Sequence, residues 1–447
     1  MKFEIKGNKN YVGSIIQINN LIQLEGCDNI QSSIIFGCSV IISKDVKIGD
    51  VGIYFPTETA LSNNFLSINN LYRDKELNLD KNKSGFFEKN RRIRAMKLRG
   101  FKSDGFFMPM HSLASIPDIK NNFEKYVASA SIPIGTDFDH IDGQMICEKY
   151  IIKSKTQGAP NSKKDKKSLK VKRFNKLRDD IFRFHIDTAQ LAKNMLMINP
   201  DDIISITEKV HGTSAIASYI LCNRKLTWKD KLAKLLGAKV NEFEYDYIWS
   251  SRRVIKNQYL YEDKLTHFYS EDIWKTGMDE LKPFIQKDMT IYYEIVGYLS
   301  EGKMIQGQFD YGCQVGKHEK YVYRITTTNE SGVAFEWSMK QVQDWCKQNG
   351  LKAVPLHYYG YAKDLFKDIS VENHWHENFL SKLQDTYLEK KCTMCRNSVP
   401  AEGVCLRKER LDLEVWTLKS FLFRAHETKE MDSGNENIED SQEIDTV

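Results

Sequence analysis

The chain has 447 residues and a mass of 52.0 kDa, room for two or three domains, and 41% hydrophobic residues suffice for real cores. A formal net charge of +5 is too small to identify a partner, and the absence of an N-terminal apolar segment or a run of about 18 apolar residues argues against secretion and membrane insertion. Nine cysteines, an odd number scattered along a large chain, argue against a disulfide framework and for a reduced, cytoplasmic or otherwise intracellular setting.

Residues 1–150 contain short β-like runs at Ser14–Ile18, Ser33–Ile42, Val51–Phe55 and Gly105–Met108, broken by Gly, Asn and Asp. That spacing predicts a small β-barrel module. Within it, the stretch from Arg91 to Lys102 interleaves Arg92, Arg94, Lys97, Arg99 and Lys102 with apolar residues. Such a strand has one basic face, either an ordinary solvated one or one that meets phosphates. Residues 151–180 read as a linker. Between Asn161 and Arg178, Lys163, Lys164, Lys166, Lys167, Lys170, Lys172, Arg173, Lys176 and Arg178 face a lone Asp165, an exposed segment able to lie on a polyanion.

In mid-chain, Ile204 and Ile206 alternate into Glu208 and Val210, and a second β-rich run spans Ser214 to Leu221. Two strands therefore flank the turn Lys209-Val210-His211-Gly212-Thr213-Ser214, and Lys209 stands where the first ends. A lysine presented on a tight glycine turn is how an enzyme offers a nucleophilic amine, and Gly212 would let backbone approach a phosphate without a Cβ in the way. Further strand-like segments come in order: Trp249-Ser250-Ser251-Arg252-Arg253, Ile291-Tyr292-Tyr293-Glu294-Ile295-Val296-Gly297, Glu402-Gly403-Val404-Cys405-Leu406-Arg407 and Val415-Trp416-Thr417-Leu418-Lys419-Ser420. As bare chemistry they supply an amine, cations for phosphate, and two carboxylates for ribose hydroxyls or a divalent metal. Cys392-Thr393-Met394-Cys395, with His374 and His376 upstream, is the one metal-like spacing, but a single C-x-x-C reads better as two ordinary thiols than as zinc ligands. From Glu427 to Val447 the chain is acidic and nearly free of large apolar residues, so a mobile tail is expected.

These ordered segments resemble the covalent nucleotidyltransferases, the superfamily of ATP-dependent polynucleotide ligases and mRNA capping enzymes. Within it the chain is most similar to the Deinococcus-type nick-sealing RNA ligases, RNA ligase family 5. The resemblance extends to Arg94-Ala95-Met96-Lys97-Leu98-Arg99-Gly100, Ser103-Asp104-Gly105 and Phe184-His185-Ile186-Asp187-Thr188. It implies that Lys209 attacks the α-phosphate of ATP and carries AMP. Glu208 would help hold adenine, Arg252 would lie on the ribose or phosphate side, and Glu294 would bind ribose hydroxyls. Tyr323, in Tyr321-Val322-Tyr323-Arg324-Ile325, would stack on adenine, Glu402 and Glu294 would serve Mg²⁺ or Mn²⁺, and Lys419 would contact phosphate. A free amine with a pKa of about 10.4 is protonated at neutral pH, so Lys419, a bound metal and partial burial are expected to depress that of Lys209.

Two positions depart from the superfamily pattern. His211 stands where many relatives have Asp, and Thr417 stands where the last motif usually has its first lysine, so that either another cation such as Arg407 or Lys408 supplies the missing charge or one step is slow. The fold implied is α+β. Residues 1–150 form an oligonucleotide-binding-fold-like β-barrel, 151–180 a basic linker, 181–426 an antiparallel-sheet nucleotidyltransferase (ATP-grasp-like ligase) domain, and 427–447 an acidic tail. The activity implied is ligation of RNA 3'-OH to 5'-phosphate ends by a monomer, at nicks in duplexes with RNA on the 3'-OH side. An mRNA capping guanylyltransferase and a non-catalytic RNA-binding protein on the same fold are the alternatives.

Overall fold

The computed structural model describes residues 2–114, 116, 119, 133–151, 176–178, 180–255 and 269–433. Most of the basic linker and the acidic end of the chain after residue 433 lie outside the described residues.

The N-terminal module is built chiefly on six strands: β1 (Gly13–Gln17), β2 (Ile30–Ile35), β3 (Cys38–Ser43), β4 (Val51–Phe55), β5 (Phe106–Pro109) and β6 (Asp137–Phe138). Four form an antiparallel sheet in the order β5-β4-β1-β6, over a core that includes Ile15, Ile53, Phe55, Phe65 and Phe138. The run expected at residues 33–42 is a hairpin instead, β2 with β3, because Phe36 and Gly37 both take positive φ and reverse the chain. The expected barrel is not seen as a closed sheet among the described residues. β6 pairs with β1 over only two residues, and no strand returns from it to β5.

Residues 189–432 hold the two larger sheets. Their elements are β7 (Ala189–Gln190), β8 (Ile203–Glu208), β9 (Thr213–Asn223), α1 (Trp228–Leu235), β10 (Phe243–Ser251), α2 (Ile273–Leu281), β11 (Met289–Gly297), β12 (His318–Thr328), β13 (Ala334–Glu336), α3 (Met339–Gln348), β14 (Leu356–Tyr361), α4 (Trp375–Tyr387), β15 (Gly403–Lys408), β16 (Glu414–Lys419) and α5 (Phe421–Asp432). One sheet runs β7-β16-β15-β8-β14 and the other β10-β9-β11-β12-β13. Apart from the short parallel pairing of β7 with β16, both run antiparallel along these orders.

Strand alternation decides what each sheet offers to the space between them. Ile204, Ile206, Val404, Leu406 and Trp416 pack on one side against Trp375, Phe379 and Leu383 of α4. Their neighbours Thr207, Cys405, Arg407 and Thr417 line a cavity on the other side. In the second sheet, Ala215, Ala217, Ile291, Tyr293 and Ile295 bury themselves against Trp274 and Met278 of α2. That leaves Ser214, Glu294 and Tyr323 to line the same cavity.

Helix α5 fastens the N-terminal module to these sheets. Arg424 pairs with Asp104, Asp432 lies 3.4 Å from both Arg92 and Arg94, and the Thr428 hydroxyl donates to Glu58 at 3.4 Å. Residues 427–432, which composition alone assigns to the tail, are thus helical. The basic strand face is likewise corrected in part: buried Arg92 forms a two-pronged pair with Glu58 at 2.8 and 2.9 Å, and Lys102 pairs with Glu389 at 3.0 Å. Three of its five cations meet protein carboxylates. No helix among the described residues is long and apolar enough to cross a membrane.

Candidate active site

The glycine turn after β8 is set by backbone contacts. The Lys209 N–H donates to the Gly403 carbonyl at 2.9 Å, and the Gly212 N–H donates to Glu294 Oε1 at 3.1 Å. A Cβ at Gly212 would stand 2.3 Å from the Ile295 carbonyl oxygen and 2.9 Å from Glu294 Cγ. What requires glycine here is the close approach of β11, not open space for a phosphate. Gly403, at φ +138°, is constrained in the same way, since a Cβ would meet the Leu418 carbonyl oxygen at 2.1 Å.

Lys209 and Lys419 converge on Glu402. Their Nζ atoms lie 2.9 and 3.0 Å from Glu402 Oε1. The strand register causes this: Gly403 pairs with Lys419 across β15 and β16, and the Ser420 N–H donates to the Glu402 carbonyl at 2.9 Å. Burial alone would raise the Glu402 carboxyl, but Lys209, Lys419 and His211 outweigh it and hold it down at about 2. A carboxylate that acidic takes no proton from an amine, so Glu402 orients Lys209 rather than acting as its base. Burial works against the charged Lys419 ammonium, yet Glu427 and Glu402 more than offset it, and Lys419 is held charged.

Glu402 Oε2 is buried and has no hydrogen-bond partner among the described residues. His211 Nδ1 stands 3.7 Å from it, beyond hydrogen-bond reach. His211 packs edge-on against Phe309 and Phe423, and its N–H donates to the Tyr311 hydroxyl at 2.6 Å. A buried anionic oxygen without a hydrogen bond suits a divalent cation, and the two lysines that share the carboxylate, Lys209 and Lys419, line the neighbouring cavity. Among the described residues no group of three or more His, Cys, Asp or Glu is arranged to hold one unaided. Substrate phosphates would have to complete such a site, as is usual for Mg²⁺.

The cavity, of about 250 Å³, is lined by Glu208, Lys209, Arg252, Glu294, Tyr323 and Lys419 among others. All but one of the residues read as nucleotide-binding therefore meet in one place; neither Gly212 nor the expected metal ligand Glu402 is among the lining residues. Glu208 is fixed by its N–H to the Pro355 carbonyl and by His357 Nε2 at 2.8 Å from its carboxylate. The Tyr323 hydroxyl lies 3.0 Å from Ser214 Oγ and 3.1 Å from His185 Nδ1, and burial and Glu294 push its ionisation far upward, so it stays neutral.

Asp187 is a residue the sequence marks without explaining. It accepts from Arg252 at 2.8 Å and Arg253 at 2.5 Å. Burial works against its charge, but the two arginines prevail and keep it ionised. Asp187 thereby aims Arg252 along the cavity wall. Of the two cations raised as replacements for a lysine at Thr417, Arg407 lines the cavity, while Lys408 turns away to Asp202 and Glu414 at 3.1 and 3.2 Å. The Thr417 hydroxyl donates to the Ala189 carbonyl at 3.5 Å. Sequence reasoning also misses that Tyr11, Glu58 and Lys149 of the N-terminal module line this cavity. Nothing local in the sequence signals it.

The thiols of Cys392 and Cys395 are free, and the upstream histidines are engaged elsewhere. His374 pairs with Glu377, and His376 contacts the Ile198 carbonyl.

Residues 202–420 match the family model described as RNA ligase. A comparison with curated protein sequences gave no match. Among solved structures, the chain is similar to a Naegleria gruberi RNA ligase mutant with AMP and Mn, at 16% identity and a TM-score of 0.55, over 93% of this chain and 98% of that one. It is similar also to another Naegleria gruberi RNA ligase mutant, with ATP and Mn, at 16% identity and a TM-score of 0.54, over 94% of this chain and 99% of that one. A third, Naegleria gruberi RNA ligase with PPi, shares 17% identity over 95% of this chain and 99% of that one, with a TM-score of 0.54. Residues 202–420 thus carry the RNA ligase family pattern, within a chain that has the fold of the Naegleria gruberi RNA ligases.

Proposed function

We propose that this protein is an ATP-dependent RNA ligase that joins 3'-OH to 5'-phosphate ends through a lysyl-AMP intermediate on Lys209, acting at nicks in RNA repair. The observation that carries this reading is the convergence of Lys209 and Lys419, both lining a cavity between two sheets, on one oxygen of the buried Glu402 carboxylate, whose other oxygen accepts no hydrogen bond among the described residues. It is supported by the family match over residues 202–420 and by the fold shared with ligases whose structures contain ATP, AMP and Mn.

In the first step Lys209 Nζ, after its ammonium has given a proton to water, forms a bond to the α-phosphorus of ATP as the bond to the β-phosphate oxygen breaks, and pyrophosphate leaves with the electron pair. AMP then passes to the RNA 5'-phosphate, and the 3'-OH displaces it. Each is an in-line displacement at phosphorus, for which positioning and cations matter more than acid–base chemistry. Mg²⁺ or Mn²⁺, when bound at Glu402, supplies charge for the phosphates. Lys419 and Arg252 do the same from the protein. Glu294 and Tyr323 hold the nucleoside, with Glu208 at the mouth of the turn. The N-terminal module, an oligonucleotide-binding-fold-like unit in this reading, holds RNA together with the basic segment after it, and one copy of the chain suffices.

Sealing assays on nicked duplexes test this. The 3'-OH strand is made all RNA, DNA ending in a few ribonucleotides, or all DNA, because a 2'-OH is what distinguishes the two nucleic acids. ATP-dependent sealing of the first two and poor sealing of the third is the expected result. Equal sealing of all-DNA nicks rejects an RNA ligase, and covalent labelling by GTP in preference to ATP assigns capping chemistry instead.

A further inference from the structure

Helix α1, in the connection between β9 and β10, is amphipathic but mounted the wrong way round for a globular protein. Trp228, Leu232, Leu235 and Leu236 fall within an arc of about 100° on the helix. They are 71, 47, 82 and 77% exposed, and no residue of the helix is buried. The polar side holds the helix in place. Asp230 accepts from the Thr227 N–H at 2.8 Å in a capping box and pairs with Arg224 at 3.1 Å, while Lys234 pairs with Glu242. These polar contacts leave the apolar stripe aimed outward.

The rest of the connection tells what the stripe meets. Lys229 and Lys231 flank it on its two edges, and between residues 223 and 242 six Lys and Arg stand against two acidic residues. The one acidic residue of the helix, Asp230, sits on the mounting side. Beyond Tyr219, β9 leaves β11 and continues with β10 alone, so the helix is carried past the edge of the sheet. RNA satisfies the lysines but offers no apolar phase to three leucines. An anionic lipid surface satisfies both, with the lysine stems running along the stripe and their ammonium groups at the headgroup phosphates.

We propose that α1 is a peripheral docking element for anionic membrane surfaces, lying on the bilayer rather than spanning it. The test is flotation of the full chain with vesicles of phosphatidylcholine alone or with about 30% phosphatidylserine, comparing the wild type with Leu235→Asp and with Lys229→Glu/Lys231→Glu. Since α1 buries nothing, circular dichroism and the melting temperature should not change in either variant. Binding to the phosphatidylserine vesicles, weakened about tenfold or more by Leu235→Asp and also by the double charge reversal, is the expected result. A blue shift of tryptophan emission on binding, absent in Trp228→Phe, is expected with it. No binding to the anionic vesicles, or binding that Leu235→Asp leaves unchanged, overturns the proposal. So does a Leu235→Asp effect confined to the oligomeric mass in light scattering or to RNA affinity, which assigns the stripe to a second copy or to RNA.

Discussion

Lys209 and Lys419 lie within 3.0 Å of the same oxygen of Glu402, although 210 residues separate them in the chain. A buried carboxylate thus holds the amine that would attack and the cation that would meet the phosphate at a fixed separation. The remaining oxygen of Glu402 accepts no hydrogen bond among the described residues and faces His211 Nδ1 at 3.7 Å. In this arrangement, binding of substrate and metal replaces contacts among the protein's own charges.

Glu402→Gln should therefore cut formation of the protein–AMP adduct by about a hundredfold, the scale on which loss of one preorganised electrostatic group acts. Adduct formation should require a divalent metal, stop on chelation with EDTA, and return with Mn²⁺. Excess Mn²⁺ should recover part of the activity of the variant by mass action. Full activity in Glu402→Gln would place the metal elsewhere.

The same carboxylate makes a pH-dependent contribution to folding. Its folded pKa is depressed to about 2, so the stabilisation is fully present above the ordinary carboxylate range and is lost as pH falls toward about 2. The stability difference between wild type and Glu402→Gln, on the order of 3 kcal/mol at neutral pH, should narrow across that window. Urea unfolding at a series of acidic pH values measures it, and a gap that widens on acidification contradicts the assignment.

Gly212→Ala probes the turn. With the added methyl 2.3 Å from a carbonyl oxygen of β11, the backbone must shift, at a cost of about 2 kcal/mol. Because the Gly212 N–H holds Glu294, adduct formation should fall as well, with a raised KM for ATP. A variant of wild-type stability and activity would mean that the turn accommodates the methyl without moving Lys209.

The clamp between modules is open to a double-mutant cycle. Asp104→Asn and Arg424→Met should each destabilise by about 3 kcal/mol, since each leaves a partly buried charge without its partner. Together they should cost less than the sum. Additive effects in thermal or urea unfolding would mean that this pair does not hold the module in place.

Much of the site can be read from the sequence because it is built on strand alternation. The period-two pattern around Ile204 and Ile206 places Lys209 at a strand end, and the run from Ser214 to Leu221 lies within the next strand, Thr213–Asn223. The clamp is illegible for a physical reason. Arg424 and Asp104 are 320 residues apart and Arg92 and Asp432 are 340 apart, so neither pair leaves a local pattern. Isolated from their partners, Arg92, Arg94 and Lys102 look like a phosphate-facing strand. Gly212 misleads in a similar way. The turn does demand glycine, but β11, which imposes the demand, is some eighty residues downstream. The hairpin at Phe36 and Gly37 escapes sequence reading because a positive φ at Phe36 has no signature in a phenylalanine.

The most direct measurement is the site of covalent attachment. The full chain is incubated with α-labelled ATP and Mn²⁺, denatured, digested, and the labelled peptide sequenced by mass spectrometry, in parallel with Lys209→Ala and Lys209→Arg. A single AMP on Lys209, and no label in either variant while both melt like the wild type, is the predicted result; arginine cannot rescue it because a guanidinium stays protonated. Label on another residue, or label that persists in folded Lys209→Ala, would contradict the account.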